Sequence, residues 1–333
     1  MAPPPLMEEL VEEILLRFPP HEPASLVRAS LKPHRSLRRV SSFAPTAAFC
    51  SPHAESRRWR ALDARHGRVL RWMGGHFNDN GVLAVWDPIT GEKRKLPILP
   101  RQYMSMRNAA VLCSVAAGAC DHLDCHAGPF IVVSVGATVV CTYLPDTDDW
   151  SEPISGPEAL DSVHCLMRSS LVGNELYFGS RTTNRALKYD LELRQVSWIE
   201  LPPACSSTGL LVLTTTEDGG LGLATIHGSK IYVWSRKVGP QVDAEWTQSK
   251  IVDLETLLPI DAVWTLPDVV GFAEGIDVIF VRANNVLFTI DLKTYKVKKV
   301  CNDRVMCGVV PYMSFYTPAL GTACTDEGPS AGG

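Results

Sequence analysis

The sequence lacks the short motifs that mark the common enzyme classes. It contains no Gly-x-Ser-x-Gly, no Gly-x-x-x-x-Gly-Lys-Ser/Thr, no His-Glu-x-x-His and no complete Gly-x-Gly-x-x-Gly. These patterns build, in turn, an exposed serine nucleophile, a phosphate cradle, a paired-histidine metal site and a dinucleotide-binding turn. The sequence therefore offers no direct argument for catalysis.

The chain also lacks a secretory leader and a membrane-spanning run. Its first residues, MAPPPLMEELVEEILLRF, have no positively charged start, and glutamates interrupt the apolar positions. The longest uncharged stretch, residues 128–145, is rich in β-branched residues and contains Ser134 and Gly136, which favours two strands around a turn. No Asn-x-Ser/Thr acceptor occurs. We expect a cytoplasmic and/or nuclear protein whose ten cysteines are thiols that mostly pack as small apolar groups.

The composition is that of a folded protein of one or two domains. Of the 333 residues, 46% are apolar and 20% are charged, with a net charge of −4. The charge is uneven, because residues 32–71 carry ten basic and only two acidic side chains. Such a band could bind phosphates. No zinc-finger spacing or RNA-binding aromatic signature accompanies it, so we expect no nucleic acid partner.

The N-terminal residues predict two short helices. From Leu6 to Phe18 the apolar side chains recur at helical spacing with glutamates on the opposite side, and Pro19 and Pro20 end the pattern. A second helix is predicted to begin at Pro23 and to present Leu26, Val27 and Leu31 on one side. Helices this short cannot build a stable core alone, so their apolar faces need a partner surface.

The run from Leu6 to Leu31, LMEELVEEILLRFPP followed by EPASLVRASL, resembles the F-box motif in the form common in grass F-box proteins. The resemblance implies docking onto a Skp-type adaptor of a cullin-RING ubiquitin ligase. It assigns that contact to the following apolar residues: Leu6, Leu10, Val11, Ile14, Leu15, Phe18, Leu26 and Leu31. The chain departs from the pattern in two places. Met7 stands where a proline is usual, and the stretch after Leu31 lacks two residues and has His34 in place of a tryptophan.

The body contains a fivefold repeat of an alternating apolar strand, a polar turn and a second strand. Alignment of the repeats gives intervals of 57, 46, 45 and 56 residues between Asp87, Leu144, Asp190, Ser235 and Asp291. With a further apolar strand before each unit, this period suits a four-stranded propeller blade. We therefore predict a mainly β protein, a kelch-like β-propeller of five or six blades preceded by a short F-box-like helical segment. An irregular β-sandwich is the alternative.

Residues 55–320 are similar to the C-terminal associated region of grass F-box proteins, including the segment Trp86–Glu92, WDPITGE. Three tryptophans are expected to pack between neighbouring blades: Trp150, Trp198 and Trp246. The predicted domains are a helical segment (1–45), a basic linker with first strands (46–80), the propeller (81–322) and a disordered tail (323–333).

Three groups of residues resemble metal-binding or catalytic sites, but none contains a complete set of the residues needed. Residues 120–126, CDHLDCH, offer thiol and imidazole ligands, but the spacing fits no structural zinc class and no second Cys-x-x-Cys pair exists, so we predict no metal and no cofactor. His164 and His227 have no identifiable nucleophile nearby. Solvated turns explain the remaining acidic candidates: Asp146, Asp148, Asp149, Glu217 and Asp218.

The expected function is that of a non-enzymatic substrate receptor, the F-box subunit of an SCF-type ubiquitin ligase. The helices would hold the adaptor and the propeller would bind an unknown target protein. Two alternatives stay open. One is a propeller scaffold of F-box descent that no longer docks onto the ligase, and the other is a propeller that binds or hydrolyses carbohydrate.

Overall fold

The computed structural model describes residues 26–32, 40–45, 59–73, 81–88, 90–99, 108–115, 122, 125, 128–136, 139–156, 166–180, 183–205, 211–236, 245–259, 267–274, 276–302 and 309–313. These residues form 24 strands and one short 3-10 helix, Pro203–Cys205. Within them, no helix has the length and apolar character needed to cross a membrane.

The strands are grouped into five antiparallel blades and one smaller sheet. The first strands of the described residues are β1 (Leu26–Lys32) and β2 (Val40–Pro45). Blade 1 contains β3 (Trp59–Arg65), β4 (Arg68–Met73), β5 (Val82–Trp86) and β6 (Lys93–Lys95). Blade 2 contains β7 (Asn108–Cys113), β8 (Phe130–Val135), β9 (Val139–Leu144), β10 (Asp149–Trp150) and β11 (Ile154–Ser155). Blade 3 contains β12 (Leu166–Val172), β13 (Glu175–Ser180), β14 (Arg185–Asp190) and β15 (Gln195–Glu200). Blade 4 contains β16 (Leu211–Thr215), β17 (Leu221–His227), β18 (Lys230–Arg236) and β19 (Trp246–Asp253). Blade 5 contains β20 (Asp268–Ala273), β21 (Val278–Ala283), β22 (Val286–Asp291) and β23 (Val297–Asn302). The last strand is β24 (Val309–Met313).

The first strand of each blade lies at the centre of a ring. Strand β3 contacts β7, β7 contacts β12, β12 contacts β16, and β16 contacts β20. Strand β24 contacts both β20 and β3, and it pairs with β1, which pairs with β2. The three-stranded sheet β2-β1-β24 therefore lies between blade 5 and blade 1 and pairs the first two described strands with the last one. The predicted β-propeller is confirmed, with five blades of four main strands, whereas the kelch type of its repeat stays a prediction.

Both faces of blade 2 are covered by neighbouring blades. In β8, Val132 and Val133 point to opposite faces because successive residues alternate, yet both are fully buried. Val132 packs in a cluster shared with Leu70 of blade 1, and Val133 packs in a cluster shared with Phe178 of blade 3. A β-sandwich, whose sheets expose one face to solvent, does not fit this pattern.

The repeat seen in the sequence corresponds to one position in each blade. The aligned residues lie at or next to the end of the third strand of their blades. Asp190 accepts hydrogen bonds at Oδ1 from the amides of Glu192 (3.0 Å) and Leu193 (2.8 Å), and Asp291 does the same for Lys293 (2.8 Å) and Thr294 (2.9 Å). Aspartate recurs here because its carboxylate satisfies the turn amides that follow the strand.

The predicted tryptophan contacts between blades are confirmed. The indole Nε1 of Trp150 in blade 2 donates to the carbonyl of Pro97, which follows blade 1 (2.9 Å). Likewise, Nε1 of Trp246 in blade 4 donates to the carbonyl of Glu200 in blade 3 (2.8 Å). Trp198 packs against the cluster shared by blades 2 and 3.

The N-terminal segment differs from the sequence prediction. Residues 26–31, predicted as part of a second helix, lie in strand β1. Its backbone pairs with β24 from Leu26 opposite Met313 and with β2 up to Lys32 opposite Val40. These long-range pairings replace helical hydrogen bonds, since tertiary context overrides local propensity. The predicted first helix lies outside the described residues, as do most of the helical domain and the whole tail.

Blade 1 runs across the predicted domain boundary at residue 81. Strands β3 and β4 precede that position, whereas β5 and β6 follow it in the same sheet. Gly81 itself lies against Trp72, where an added Cβ would clash with the indole ring. Blade 1 therefore begins at Trp59, within the segment 46–80 that was predicted to contain a basic linker and first strands.

Candidate binding face at the channel mouth

A cavity opens at the centre of the ring. Its volume is about 230 Å³, and it is lined by residues of four innermost strands and the turns that follow them: Ala64, Arg65, His66, Arg168, Leu171, Ala273, Glu274 and Pro311. The lining combines blades 1, 3 and 5 with strand β24. This cavity forms the mouth of the central channel on the side where first strands end, and we call that side the mouth face.

Asp63 is the buried anchor of this channel. Its side chain is fully buried. Oδ2 accepts hydrogen bonds from Arg65 Nη1 (2.6 Å) and from the amide of Val111 in blade 2 (3.0 Å), and Oδ1 accepts one from Arg168 Nε in blade 3 (3.4 Å). One carboxylate thus connects three blades.

Arg65 extends the same network to blades 3 and 5. Its Nη1 donates to Ser169 Oγ (2.8 Å), its Nη2 donates to the Ser169 carbonyl, and Nη2 lies 3.6 Å from Glu274 Oε1. Ser170 Oγ also donates to Glu274 Oε1 (3.0 Å). Burial disfavours the charged guanidinium, but the carboxylates of Asp63 and Glu274 outweigh that effect and raise the pKa of Arg65. Arg65 is therefore permanently charged and links blades 1, 3 and 5.

The second arginine, Arg168, is held by backbone acceptors on both sides. Nη1 donates to the carbonyl of Phe272 (3.3 Å) and Nη2 to that of Ala64 (3.1 Å). Burial lowers its pKa, and the charge of Asp63 opposes that shift. The charged groups at the mouth are engaged with one another. The arrangement therefore favours a structural role, in which the channel holds the blades together, and not a role in acid–base chemistry.

A cluster of two histidines and one cysteine lies beside the cavity. His66 and Gly67 form the two-residue turn between β3 and β4, and both have positive φ (53° and 72°), as a type I′ turn requires. The rings of His66 and His122 are stacked with centroids 4.1 Å apart, and Cys125 Sγ lies 3.7 Å from His122 Nδ1. Burial, followed by the neighbouring His122 and Arg65, lowers the pKa of His66 to about 4, so its ring is neutral at pH 7.

Part of this cluster was visible in the sequence, but its third member was not. The stretch 120–126 contains His122 and Cys125, whereas His66 comes from a different blade 56 residues earlier. The ring geometry brings the β3–β4 turn next to the connection between β7 and β8. No local spacing rule could find that pairing, because it depends on how two neighbouring blades pack.

A groove with an aromatic lining lies between blades 3 and 4. Its volume is about 520 Å³, and its walls include Trp198, Trp234 and Trp246 together with Arg236. The Nε1 groups of Trp198 and Trp234 and the Nε of Arg236 are buried without a hydrogen-bond partner. The groove is larger than the cavity at the channel mouth, and tryptophan and arginine are the residue types that dominate protein-binding surfaces.

The residues assigned to adaptor binding divide into two groups. Leu26 and Leu31 lie in β1, where the structure describes the backbone alone. The other six lie outside the described residues: Leu6, Leu10, Val11, Ile14, Leu15 and Phe18.

The remaining sequence candidates do not assemble into a site. His227 is exposed at the end of β17, and His164 lies outside the described residues. Asp148 is an exposed turn residue that accepts hydrogen bonds from Tyr143 Oη (2.7 Å) and Arg94 Nη2 (3.2 Å). Glu217, in another turn, pairs with Lys293 (3.2 Å). These acidic residues belong to solvated turns, as predicted.

The fold and its central face define the protein as a β-propeller whose ring is closed by strands from both ends of the chain. Residues 60–320 match the model of the family described as "F-box protein AT5G49610-like, beta-propeller". The chain belongs to that family. The resemblance of the body to the propeller region of plant F-box proteins is therefore confirmed at the level of the family.

Comparisons with individual proteins add no functional information. No curated protein matches the chain. Among solved structures, the chain is similar to a protein of unknown function from Desulfotomaculum acetoxidans (10% identity, 87% of this chain and 99% of that one, TM-score 0.46). It is also similar to TolB from Acinetobacter baumannii (12% identity, 91% and 70%, TM-score 0.47). At these TM-scores neither structure bears on what this chain does.

Proposed function

We propose that the protein is the substrate receptor of an SCF-type cullin-RING ubiquitin ligase, acting in the cytoplasm and/or the nucleus. The N-terminal segment would bind a Skp-type adaptor, and the propeller would bind a target protein. The observation that carries the proposal is the combination, in one chain, of a propeller from an F-box protein family with the F-box-like pattern from Leu6 to Leu31.

Such a receptor needs no catalytic residue of its own. Holding a target beside the conjugating enzyme raises its effective concentration, which accelerates transfer without new chemistry. The channel mouth fits this role because its charged groups are tied into the network around Asp63. The aromatic groove between blades 3 and 4 and the mouth face are the two surfaces we assign to target recognition.

Co-purification of the full chain with a Skp-type adaptor tests the proposal. We expect a stable complex that is lost in Leu10→Asp and Ile14→Asp, because a charge on the apolar helical side would have to be buried against the adaptor. Glu9→Gln and Glu12→Gln on the polar side are the matched controls and should retain binding. No complex with the unaltered chain, or equal binding by all four variants, would reject it.

A second candidate function follows from strand β1. Leu26–Lys32 pairs with β24 and β2 in the sheet that closes the ring, yet the F-box pattern uses the same residues for a helix. The two states exclude each other, since a backbone cannot hold both sets of hydrogen bonds. A chain that keeps β1 in the ring would be a propeller scaffold of F-box descent that no longer binds the adaptor.

Restoring the F-box pattern after Leu31 distinguishes the receptor from the scaffold. The repaired chain carries Val-Cys inserted after Leu31 and the substitution His34→Trp. Binding of the adaptor by the repaired chain alone identifies the natural protein as the scaffold. Equal binding by both chains identifies it as the receptor.

A further inference from the structure

We infer that His66, His122 and Cys125 form a binding site for one zinc ion at the mouth face. Their ligand atoms, one from each residue, all lie within 4.8 Å of one another. Imidazole nitrogen and thiolate sulfur are both ligands that Zn²⁺ takes in proteins, and zinc sites that keep an open position have three protein ligands. The inference does not depend on the proposed ligase role.

The separation between His122 and Cys125 agrees with tetrahedral coordination. With Zn–N of about 2.05 Å and Zn–S of about 2.3 Å, a nitrogen and a sulfur ligand lie about 3.6 Å apart. The distance between His122 Nδ1 and Cys125 Sγ is 3.7 Å. The cluster is partly enclosed, with Cys125 buried and both histidines half-buried. The rings of His66 and His122 are stacked with an interplanar angle of 14°, so one ring must turn out of the stack for both nitrogen lone pairs to point at the same ion.

The backbone that carries Cys125 is held in place by Arg68. Its Nη2 donates to the carbonyls of Cys125 (2.5 Å) and Gly128, and the amide of Gly128 donates to the Cys125 carbonyl (3.0 Å). The guanidinium also lies over the ring of Phe130, 5.3 Å from its centroid. Arg68 thus anchors the cysteine of the blade 2 connection to β4 of blade 1, which makes it a positioning residue for the site.

His66 has one contact that zinc must replace. Its Nδ1 accepts a hydrogen bond from the amide of Cys113 (2.9 Å). Coordination through Nδ1 would displace that amide, and coordination through Nε2 would move the ring proton to Nδ1, which then could no longer accept. In both cases the Cys113 amide loses its acceptor, so its NMR resonance reports binding at His66.

The bound ion would join the β3–β4 turn of blade 1 to the β7–β8 connection of blade 2. Three protein ligands leave the fourth tetrahedral position open to water. Because the cluster includes a residue that lines the mouth cavity, metal occupancy would also set the shape of that face.

The experiment uses the full chain, stripped with a chelator under reducing conditions and then titrated with ZnCl₂ or CoCl₂. We expect one equivalent of zinc by elemental analysis, a higher melting temperature with zinc, and a thiolate-to-cobalt charge-transfer band with Co²⁺. His66→Asn and Cys125→Ser should lose all three responses. Asparagine suits the His66 position because it tolerates the positive φ of the turn.

Cys141→Ser controls for binding by other thiols and should retain one equivalent, since Cys141 is buried elsewhere in blade 2. Retention of zinc by His66→Asn and Cys125→Ser at the wild-type level would overturn the site. If these variants have a lower melting temperature than the zinc-free wild type, their loss of zinc binding is set aside and the test rests on the wild type alone. A cobalt charge-transfer band together with a shift of the Cys113 amide supports the site, and absence of either overturns it.

Discussion

The buried carboxylate of Asp63 provides the sharpest test of how the ring is held together. Asp63→Asn preserves the shape of the side chain but removes its charge. Three donors now face the two carboxylate oxygens: Arg65 Nη1 and the Val111 amide at Oδ2, and Arg168 Nε at Oδ1. Asparagine has a single acceptor oxygen, so its NH₂ group must face at least one donor. The buried guanidinium of Arg65 and the partly buried one of Arg168 also lose their nearest countercharge.

Breaking a buried ion pair from one side costs about 3–5 kcal/mol, and we expect Asp63→Asn to fall in this range. A matched control exists on the surface, where Arg185 Nε and Glu200 Oε1 are also 2.6 Å apart, but with side-chain exposures of 41% and 67%. Glu200→Gln should therefore cost less than about 1 kcal/mol. The distances in the two pairs are equal, so the difference reports burial together with the two additional donors that Asp63 accepts from.

Urea denaturation followed by tryptophan fluorescence measures both changes as shifts in the free energy of unfolding. The reasoning fails if Asp63→Asn destabilises the protein no more than Glu200→Gln does. Such a result would mean that solvent reaches the channel and screens the arginines.

Three further predictions concern packing and chemistry in the blades. Trp246→Phe should lower the free energy of unfolding by about 1 kcal/mol more than Trp234→Phe, because only the Trp246 indole donates a hydrogen bond to the neighbouring blade; equal losses in urea melts would contradict this. Gly271→Ala should cost about 1–3 kcal/mol by the same assay, since the added Cβ would lie 2.9 Å from the carbonyl oxygen of Val309 in the ring-closing strand, and an unchanged midpoint would refute that close approach. Burial raises the pKa of the Cys141 thiol to about 11, so roughly one thiol in a thousand is ionised at pH 8. Mass spectrometry should show slow alkylation of that cysteine in native protein, faster labelling as the pH rises towards 11, and complete labelling in urea; prompt native labelling at pH 8 would be inconsistent with its burial.

The blade repeat could be predicted because its signals are local. Alternating apolar residues indicate a strand, and an aspartate at its end, as at Asp190 and Asp291, binds the amides of the next few residues. Neither feature requires knowledge of the rest of the chain. The tryptophans between blades were also predictable, because large apolar residues at a recurring position need a neighbouring surface.

The features at the centre of the ring could not be predicted in this way. Arg65 meets Ser169 across 104 positions of sequence, and His66 meets Cys125 across 59. The strand β1 likewise has the composition of a helix and becomes a strand through pairing with β24 near the other end of the chain.

Sequence alone determined the class of architecture and the position of each blade, since strand periodicity and turn chemistry act over a few residues. Tertiary structure decided which charges share the channel, which histidine joins the cysteine, and how the ring closes. These contacts depend on the packing angle of one blade against the next, and that angle arises only when buried faces from distant parts of the chain meet.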